Sequence, residues 1–203
     1  MQRYLIIFIG LFSIGAQAQS DANWFQEAKE AQTKLNEEFT NPETTILTAK
    51  DFRVFKGLEF YPIDLKYRVE AQFIRTPNEK PFLMKTTTER LPEYVKYGEA
   101  HFAIDGQPFR LTLYKSTNSY GDPDKYGDQH FLPFTDLTSG DGSYGGGRFL
   151  DVTIPEGAIL VIDFNKAYNP YCAYNHRYSC PIPPEENDLA VRIEAGVKDF
   201  GPH

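Results

Sequence analysis

Three groups of residues have types and spacings suited to chemistry. The first is Cys172-x-x-x-His176-x-x-x-Cys180, which contains the only two cysteines of the chain. A bridge between them would close a small ring and stabilise it by about 2–3 kcal/mol in the chain-entropy model, so a structural disulfide is the expected pairing. The alternative is a metal held by two thiolates and an imidazole. Structural zinc asks for a full tetrahedral set and closer cysteines, no second Cys/His cluster completes it, and no metal is expected. The second group is Gly145-Gly146-Gly147-Arg148. Consecutive glycines can turn backbone amides into a concavity that, with a guanidinium beside it, holds an anion. The same triplet also suits a tight turn over a neighbouring strand, and it lacks the lysine and the strand–helix setting of a P-loop. The third group is the carboxylates Asp136, Asp151, Asp163 and Glu186. Acid–base catalysis needs two of them to converge, and spacing alone brings no two together.

Other chemistries lack their signatures. There is no G-x-S-x-G, H-E-x-x-H, G-x-G-x-x-G or Cys-x-x-Cys. Asp122-x-Asp124-x-Tyr126-Gly127 begins like a calcium loop, but Tyr126 and Pro133 stand where carboxylates belong, and a solvated loop is the better reading. No cofactor is expected. The formal net charge of -7 and the lack of a basic patch exclude a nucleic-acid partner.

The positions of these groups follow from the elements around them. Gly157 to Phe164 is a short apolar run rich in β-branched residues, expected as a strand buried on both faces. Asn165 to Asn187 then carries Pro170, Pro181, Pro183 and Pro184, which forbid a continuous ladder or helix. Tyr168, Tyr171, Tyr174 and Tyr178 supply the apolar area to pack such a long loop. A second long loop spans Thr135 to Arg148.

Upstream, Ser20 to Phe39 places Trp24, Ala28, Ala31, Leu35 and Phe39 on one helical stripe. Ser20 or Asp21 is placed to cap this helix, and Asn41-Pro42 to stop it. Phe52 to Tyr61 reads as a strand kinked at Gly57, and Asp64 to Ile74 alternates as a half-buried strand. Phe82 to Thr88 and Tyr94 to Ile104 are further strands, and Asp105-Gly106 is the strongest hairpin signal, with Phe109 to Tyr114 returning from it. Phe131 to Phe134 is a short apolar segment. Leu189 to Ala195 closes the sheet with Leu189, Val191, Ile193 and Ala195 inward, leaving Val197 to His203 as a fraying polar tail.

The chain is therefore mainly β, either all-β or α+β. It is expected as one domain, an antiparallel β-sandwich or partly open barrel with an N-terminal helix over 20–40 and long ordered loops. The first residues are not part of it. Arg3, the apolar stretch Leu5 to Ile14 and Ala16-Gln17-Ala18 have the layout of a cleavable signal peptide over 1–18. An uncleaved anchor is the alternative, although the stretch is short for a span. Cleavage after Ala18 removes Arg3 and leaves 19–203 with a net charge of -8. An exported chain, in the periplasm or outside the cell, would meet the oxidising conditions a disulfide needs.

The strings Tyr144 to Asp151 (YGGGRFLD), Asp163 to Tyr174 (DFNKAYNPYCAY) and Cys180 to Asn187 (CPIPPEEN) resemble an uncharacterised bacterial family catalogued as domain of unknown function 1684. Phe131 to Gly140 (FLPFTDLTSG) and Phe55-Lys56-Gly57-Leu58 are similar to it as well. The resemblance spans nearly all of the mature chain. It implies loop-borne polar residues on a β-rich body, and no activity. The matching positions are Asp136, Tyr144, Arg148, Asp151, Asp163, Asn165, Tyr168, Asn169, Cys172, Cys180, Glu186 and Asn187; His176 lies outside the pattern.

The expected function is binding of a small polar or anionic ligand between loops 135–148 and 165–187. Arg148 would pair the anion, with Asp136, Tyr144, Asp163, Asn165, Tyr168, Asn169, Glu186 and Asn187 as the other site candidates. Two alternatives stand beside it: a structural or interaction module of the cell envelope, and a carboxylate-based hydrolase or lyase. Neither the oligomeric state nor any catalytic residue follows from the sequence.

Overall fold

The computed structural model describes residues 12–117 and 129–201, so most of the calcium-like loop and of the leader lies outside the described residues. In chain order the elements are α1 (Phe12–Thr40), α2 (Ala49–Phe52), β1 (Arg68–Arg75), β2 (Phe82–Leu83), β3 (Glu93–Ile104), β4 (Gln107–Ser116), β5 (Gln129–Asp136), β6 (Arg148–Thr153), β7 (Ile159–Asp163) and β8 (Asp188–Leu189). The strands form one curved sheet, a half-barrel, in the order β6-β5-β4-β3-β1-β7, with β2 paired to β3 and β8 to β5. All pairings are antiparallel except that of β8. The sheet folds on itself, so the partly open barrel describes it and the sandwich does not.

The hairpin at Asp105-Gly106 forms as its sequence requires. Both residues have positive φ, 51° and 75°, which gives a two-residue turn the twist of the flanking strands. From there β3 and β4 pair from Ile104↔Gln107 back to Tyr94↔Ser116. Alternation puts Ala100, Phe102, Ile104, Leu111 and Leu113 inside the curve. Val69, Ala71, Leu132, Phe134, Leu150, Val152, Leu160 and Ile162 meet them there. Each large side chain fully buried in this way contributes about 1.5–3 kcal/mol.

Several elements differ from their sequence expectations. Helix α1 is described from Phe12, so its backbone runs across Ala18 and passes through Ser20 and Asp21 instead of starting there. Its stripe docks as expected, with Trp24, Ala28 and Phe39 buried. Phe52 to Tyr61 is not a strand: α2 occupies its start, and Gly57 at φ 134° lies against Asn36 of α1. Leu58 N–H donates to Asn36 Oδ1 at 2.8 Å, so this segment satisfies its backbone on the helix. Asp64 to Tyr67 is a 3₁₀ turn whose start Asp64 caps, which shortens β1 to Arg68–Arg75. The run at 157–164 is not buried on both faces. Strand β7 is a sheet edge paired to β1, and Ile159 and Val161 are exposed. Ladder pairing at the C-terminal side stops at Leu189, yet Leu189, Ile193 and Ala195 point into the core as the alternation requires. The tail does not fray through Gly201. Val197 is buried, Lys198 N–H donates to Glu59 O at 2.8 Å, and Asp199 N–H donates to Gly142 O at 3.1 Å.

Outside the half-barrel, Phe39, Ile46, Leu47, Ala173 and Tyr174 form a second apolar cluster, with Phe55, Leu58, Tyr144, Tyr178 and Phe200 packed against it. The two layers are α1 with its following segment on one side and the curved sheet on the other. Among the described residues no helix is long and apolar enough to cross a membrane.

Candidate ligand site

Strand β6 begins at Arg148, and the inward parity of that position sends the guanidinium into the half-barrel, where it has no solvent exposure. Gly147 makes this entry feasible. It has φ 85°, and a Cβ there would lie 2.5 Å from Phe134 O, a position open only to glycine. The glycine triplet is thus a turn pressed on β5. Arg148 Nη2 donates to Asp136 Oδ1 at 3.2 Å, to Thr138 Oγ1 at 3.2 Å and to Ile193 O at 2.8 Å. Nη1 donates to Ala195 O and Val197 O. Asp136 Oδ2 accepts Ile193 N–H at 2.7 Å and the Thr138 N–H at 3.2 Å. Burial lowers the Arg148 pKa, and the Asp136 carboxylate opposes this. The charge pair ties residues 193–197 to β5 and β6, and its groups face protein rather than a cavity.

Asp163, Asn165 and Trp24 form the joint between sheet and helix. Trp24 Nε1 donates to Asp163 Oδ2 at 2.8 Å, and Asn165 N–H and Nδ2 donate to Asp163 Oδ1 at 3.1 and 2.9 Å. Asn165 also exchanges two 2.9 Å hydrogen bonds with the Asp64 backbone. Asn187 fills a gap between strands. β4 and β5 pair only at Tyr114↔Phe131. Beyond that pair, the Asn187 amide accepts Thr112 N–H at 2.8 Å and donates to Thr112 O at 2.8 Å and Pro133 O at 2.7 Å. Its neighbour Glu186 lies on the convex face, accepting the Tyr114 hydroxyl at 2.9 Å and Lys96 Nζ at 2.6 Å. Burial alone would raise the Glu186 pKa, but the bonds from Lys96 and Tyr114 outweigh it and the net shift is downward. Burial, helped by Glu186, raises that of Tyr114.

The 165–187 loop is ordered by its aromatics, as its composition suggests. Tyr174 is buried and packs edge-on to Phe39 at 4.5 Å, and Tyr171 packs on Tyr178 at 5.3 Å. Cys172 and Cys180 are neighbours, but both are free thiols. A hydrogen bond takes the place of the expected bridge: Cys180 Sγ accepts the Cys172 N–H at 3.1 Å. The hydrogen bond from the Cys180 thiol brings the Cys172 pKa down to about 6, while the same contact pushes that of Cys180 up. Tyr144 Oη lies 3.8 Å from Cys172 Sγ, and burial together with this sulfur raises the Tyr144 hydroxyl to about 12. Among the described residues no three Cys, His, Asp or Glu side chains gather to hold a metal.

The site candidates therefore separate. Asp136 and Arg148 sit inside the half-barrel; Asp163 and Asn165 hold the helix; Glu186 and Asn187 hold the convex face. Tyr168 also faces outward, donating to Asp151 Oδ2 at 2.7 Å. Tyr144 packs into the cluster around Tyr174, and Asn169 Nδ2 donates to Lys198 O at 2.9 Å. None of the four carboxylates shares a hydrogen-bond partner with another.

A concavity opens near Lys198, the partner of Asn169. A groove of about 520 Å³ is lined by Asp51, 54–59, Tyr174 and 197–201. Phe55, Leu58, Tyr174 and Phe200 give it an apolar wall; Lys56, Glu59, Lys198 and Asp199 give it a polar rim. Sequence reasoning missed most of this lining because it read 52–61 as a strand and 197–203 as a loose tail. The one available signal was Phe55-Lys56-Gly57-Leu58, part of the resemblance but not assigned to the site.

Fold and site together define a mostly β protein: a curved antiparallel sheet with one long N-terminal helix and a loop-built surface groove. The chain belongs to the family described as "Protein of unknown function (DUF1684)", whose model matches residues 53–198. An uncharacterised protein of Haloarcula marismortui, from gene locus rrnAC0354 and solved by solution NMR, has a similar structure. It is 26% identical, with a TM-score of 0.71 over 91% of this chain and 99% of that one. No curated protein matches.

Proposed function

We propose that this is an exported binding protein that takes a small polar or anionic ligand in the groove between 51–59 and 197–201. The groove carries the reading. Its volume of about 520 Å³ lies in the range of small-molecule sites, and its aromatic wall with charged groups at the rim suits a ligand with an apolar body and a polar end. Lys56 and Lys198 are the cations available for an anionic group, the role the sequence suggested for Arg148. Tyr174 brings the 165–187 loop into the site, and Tyr144 of the other loop packs against the apolar cluster that holds Tyr174. Export rests on the leader-like residues 1–18, and the closeness of Cys172 and Cys180 is consistent with a disulfide forming in an oxidising compartment.

The interaction-module reading draws support from one observation: nearly every polar position of the family pattern is engaged in internal hydrogen bonds. Thermal-shift screening with small organic anions separates the two. Ligand binding predicts that at least one compound raises the melting temperature and that Lys198→Glu, with Lys56→Glu beside it, removes that shift while leaving the unliganded melting temperature nearly unchanged. A panel without any shift, or shifts equal in parent and variants, overturns the groove reading.

A further inference from the structure

The convex face of the sheet carries a second constellation, away from the groove. Tyr94 of β3 and Phe131 of β5 point to this face, since Tyr94 shares the parity of Lys96, Lys96 pairs with Tyr114 and Tyr114 pairs with Phe131. Register then brings Phe149 and Asp151 of β6 to the same face, opposite Pro133 and Phe131. The rings follow one another: Tyr94 to Phe131 at 5.8 Å, Phe131 to Phe149 at 4.8 Å, and Phe149 to Tyr168 at 6.0 Å. Tyr168 is fixed there by two backbone hydrogen bonds with Phe149, at 2.8 and 3.0 Å. Its hydroxyl reaches back to Asp151 Oδ2 at 2.7 Å. Four aromatic rings thus partly surround one carboxylate. Tyr94, Phe131 and Tyr168 are half-buried, Phe149 is buried and Asp151 is exposed, so among the described residues the cluster is open to solvent at Tyr94, Phe131, Tyr168 and Asp151, with Phe149 backing it.

Among the described residues its charge is uncompensated. No described lysine or arginine pairs with Asp151, in contrast to Glu186 with Lys96 and Asp136 with Arg148. Arg90, a cation whose charge acts on Tyr94, turns its guanidinium to Ser179, donating to Oγ at 3.1 Å and to the carbonyl at 2.7 Å. Partial burial raises the Asp151 pKa, and the Tyr168 hydrogen bond opposes this. A carboxylate in such a place gains from a cation that is itself cheaply desolvated. A primary ammonium brings three N–H donors, and one carboxylate already bonded to Tyr168 serves them poorly. A quaternary ammonium has no N–H to satisfy and is attracted by ring faces.

We propose that Tyr94, Phe131, Phe149, Tyr168 and Asp151 form a binding site for a small quaternary alkylammonium compound. The methylated nitrogen rests on the rings and Asp151 supplies the counter-charge. The test is isothermal titration and ligand-observed NMR with choline chloride, beside its neutral isostere 3,3-dimethylbutan-1-ol and sodium chloride as a salt control. Saturable choline binding is expected, about tenfold or more weaker in Asp151→Asn. It should be largely retained in Tyr168→Phe, which keeps the ring, and in Lys198→Glu, which alters only the groove. Asp151 is exposed, so Asp151→Asn should fold normally, and circular dichroism checks this. Equal affinity for the neutral isostere, undiminished choline binding by Asp151→Asn, or no saturable binding by the parent overturns the proposal. Loss of choline binding in Lys198→Glu would move the cation to the groove and overturn it as well.

Discussion

Arg148→Met tests whether the guanidinium serves the fold or a ligand. Methionine fills much of the same volume but offers no donors. The Asp136 carboxylate, the Thr138 hydroxyl and the carbonyls of Ile193 and Ala195 each lose a partner at a site without solvent. Removing one member of a buried ion pair costs about 3–5 kcal/mol, since the other charge is left uncompensated. For a domain of this size each kcal/mol moves the melting temperature by about 2–4 °C, so a fall of about 6–20 °C is expected. Urea unfolding should show a lower midpoint at unchanged slope. Adding Asp136→Leu should restore part of the loss, because the pair then leaves together. Recovery stays incomplete, because Ile193 N–H and Thr138 also rely on Asp136. An Arg148→Met protein within about 1 kcal/mol of the parent would refute the internal role. So would a variant that keeps its stability and loses a ligand-induced shift.

Other outcomes follow from the same structure. Asn187→Ala should cost about 1–3 kcal/mol for each backbone group it leaves unpaired at Thr112 and Pro133, and amide hydrogen exchange should rise at Thr112 first. Both thiols are buried, so in the reduced protein iodoacetamide at pH 7 should react slowly, with Cys172, whose thiol is brought down to about 6, ahead of Cys180, whose thiol is pushed up; equal labelling rates on peptide mapping contradict the contact between them. Glu186 has its folded pKa held below the ordinary 4.5, so its contribution is complete above that value and is lost as pH falls through the folded one. Glu186→Gln should therefore flatten the acid limb of a stability–pH curve, and an unchanged limb argues against the Lys96 and Tyr114 contacts.

The parts legible in sequence were those set by local rules. Asp105-Gly106 marked the hairpin between β3 and β4, and the alternation of 64–74 marked β1 as a half-buried strand. The helix stripe was readable because Trp24, Ala28 and Phe39 recur at its period. Tertiary placement was not readable. The run at 157–164 is apolar enough for a central strand, yet its neighbour is β1 alone, and nothing local encodes that. Residues 52–61 have strand-like composition, but Asn36 of α1 captures Leu58 N–H, and a contact so distant leaves no periodic trace. For the site, the resemblance found residues that matter without saying how. Arg148 and Asn187 look like ligand-binding groups because polar side chains in long loops usually meet solvent. Here inward parity and a gap between β4 and β5 turn them to the protein's own backbone.

The carbonyls at 193, 195 and 197 that receive Arg148 give the fold a late keystone. A ribosome that has delivered β1 through β7 has made a sheet whose interior guanidinium has Asp136 and Thr138 for partners but lacks the carbonyls that complete its shell. The half-barrel can shut only when the C-terminal stretch arrives. Proteolytic trimming past residue 193 would return a finished molecule to that unlatched condition.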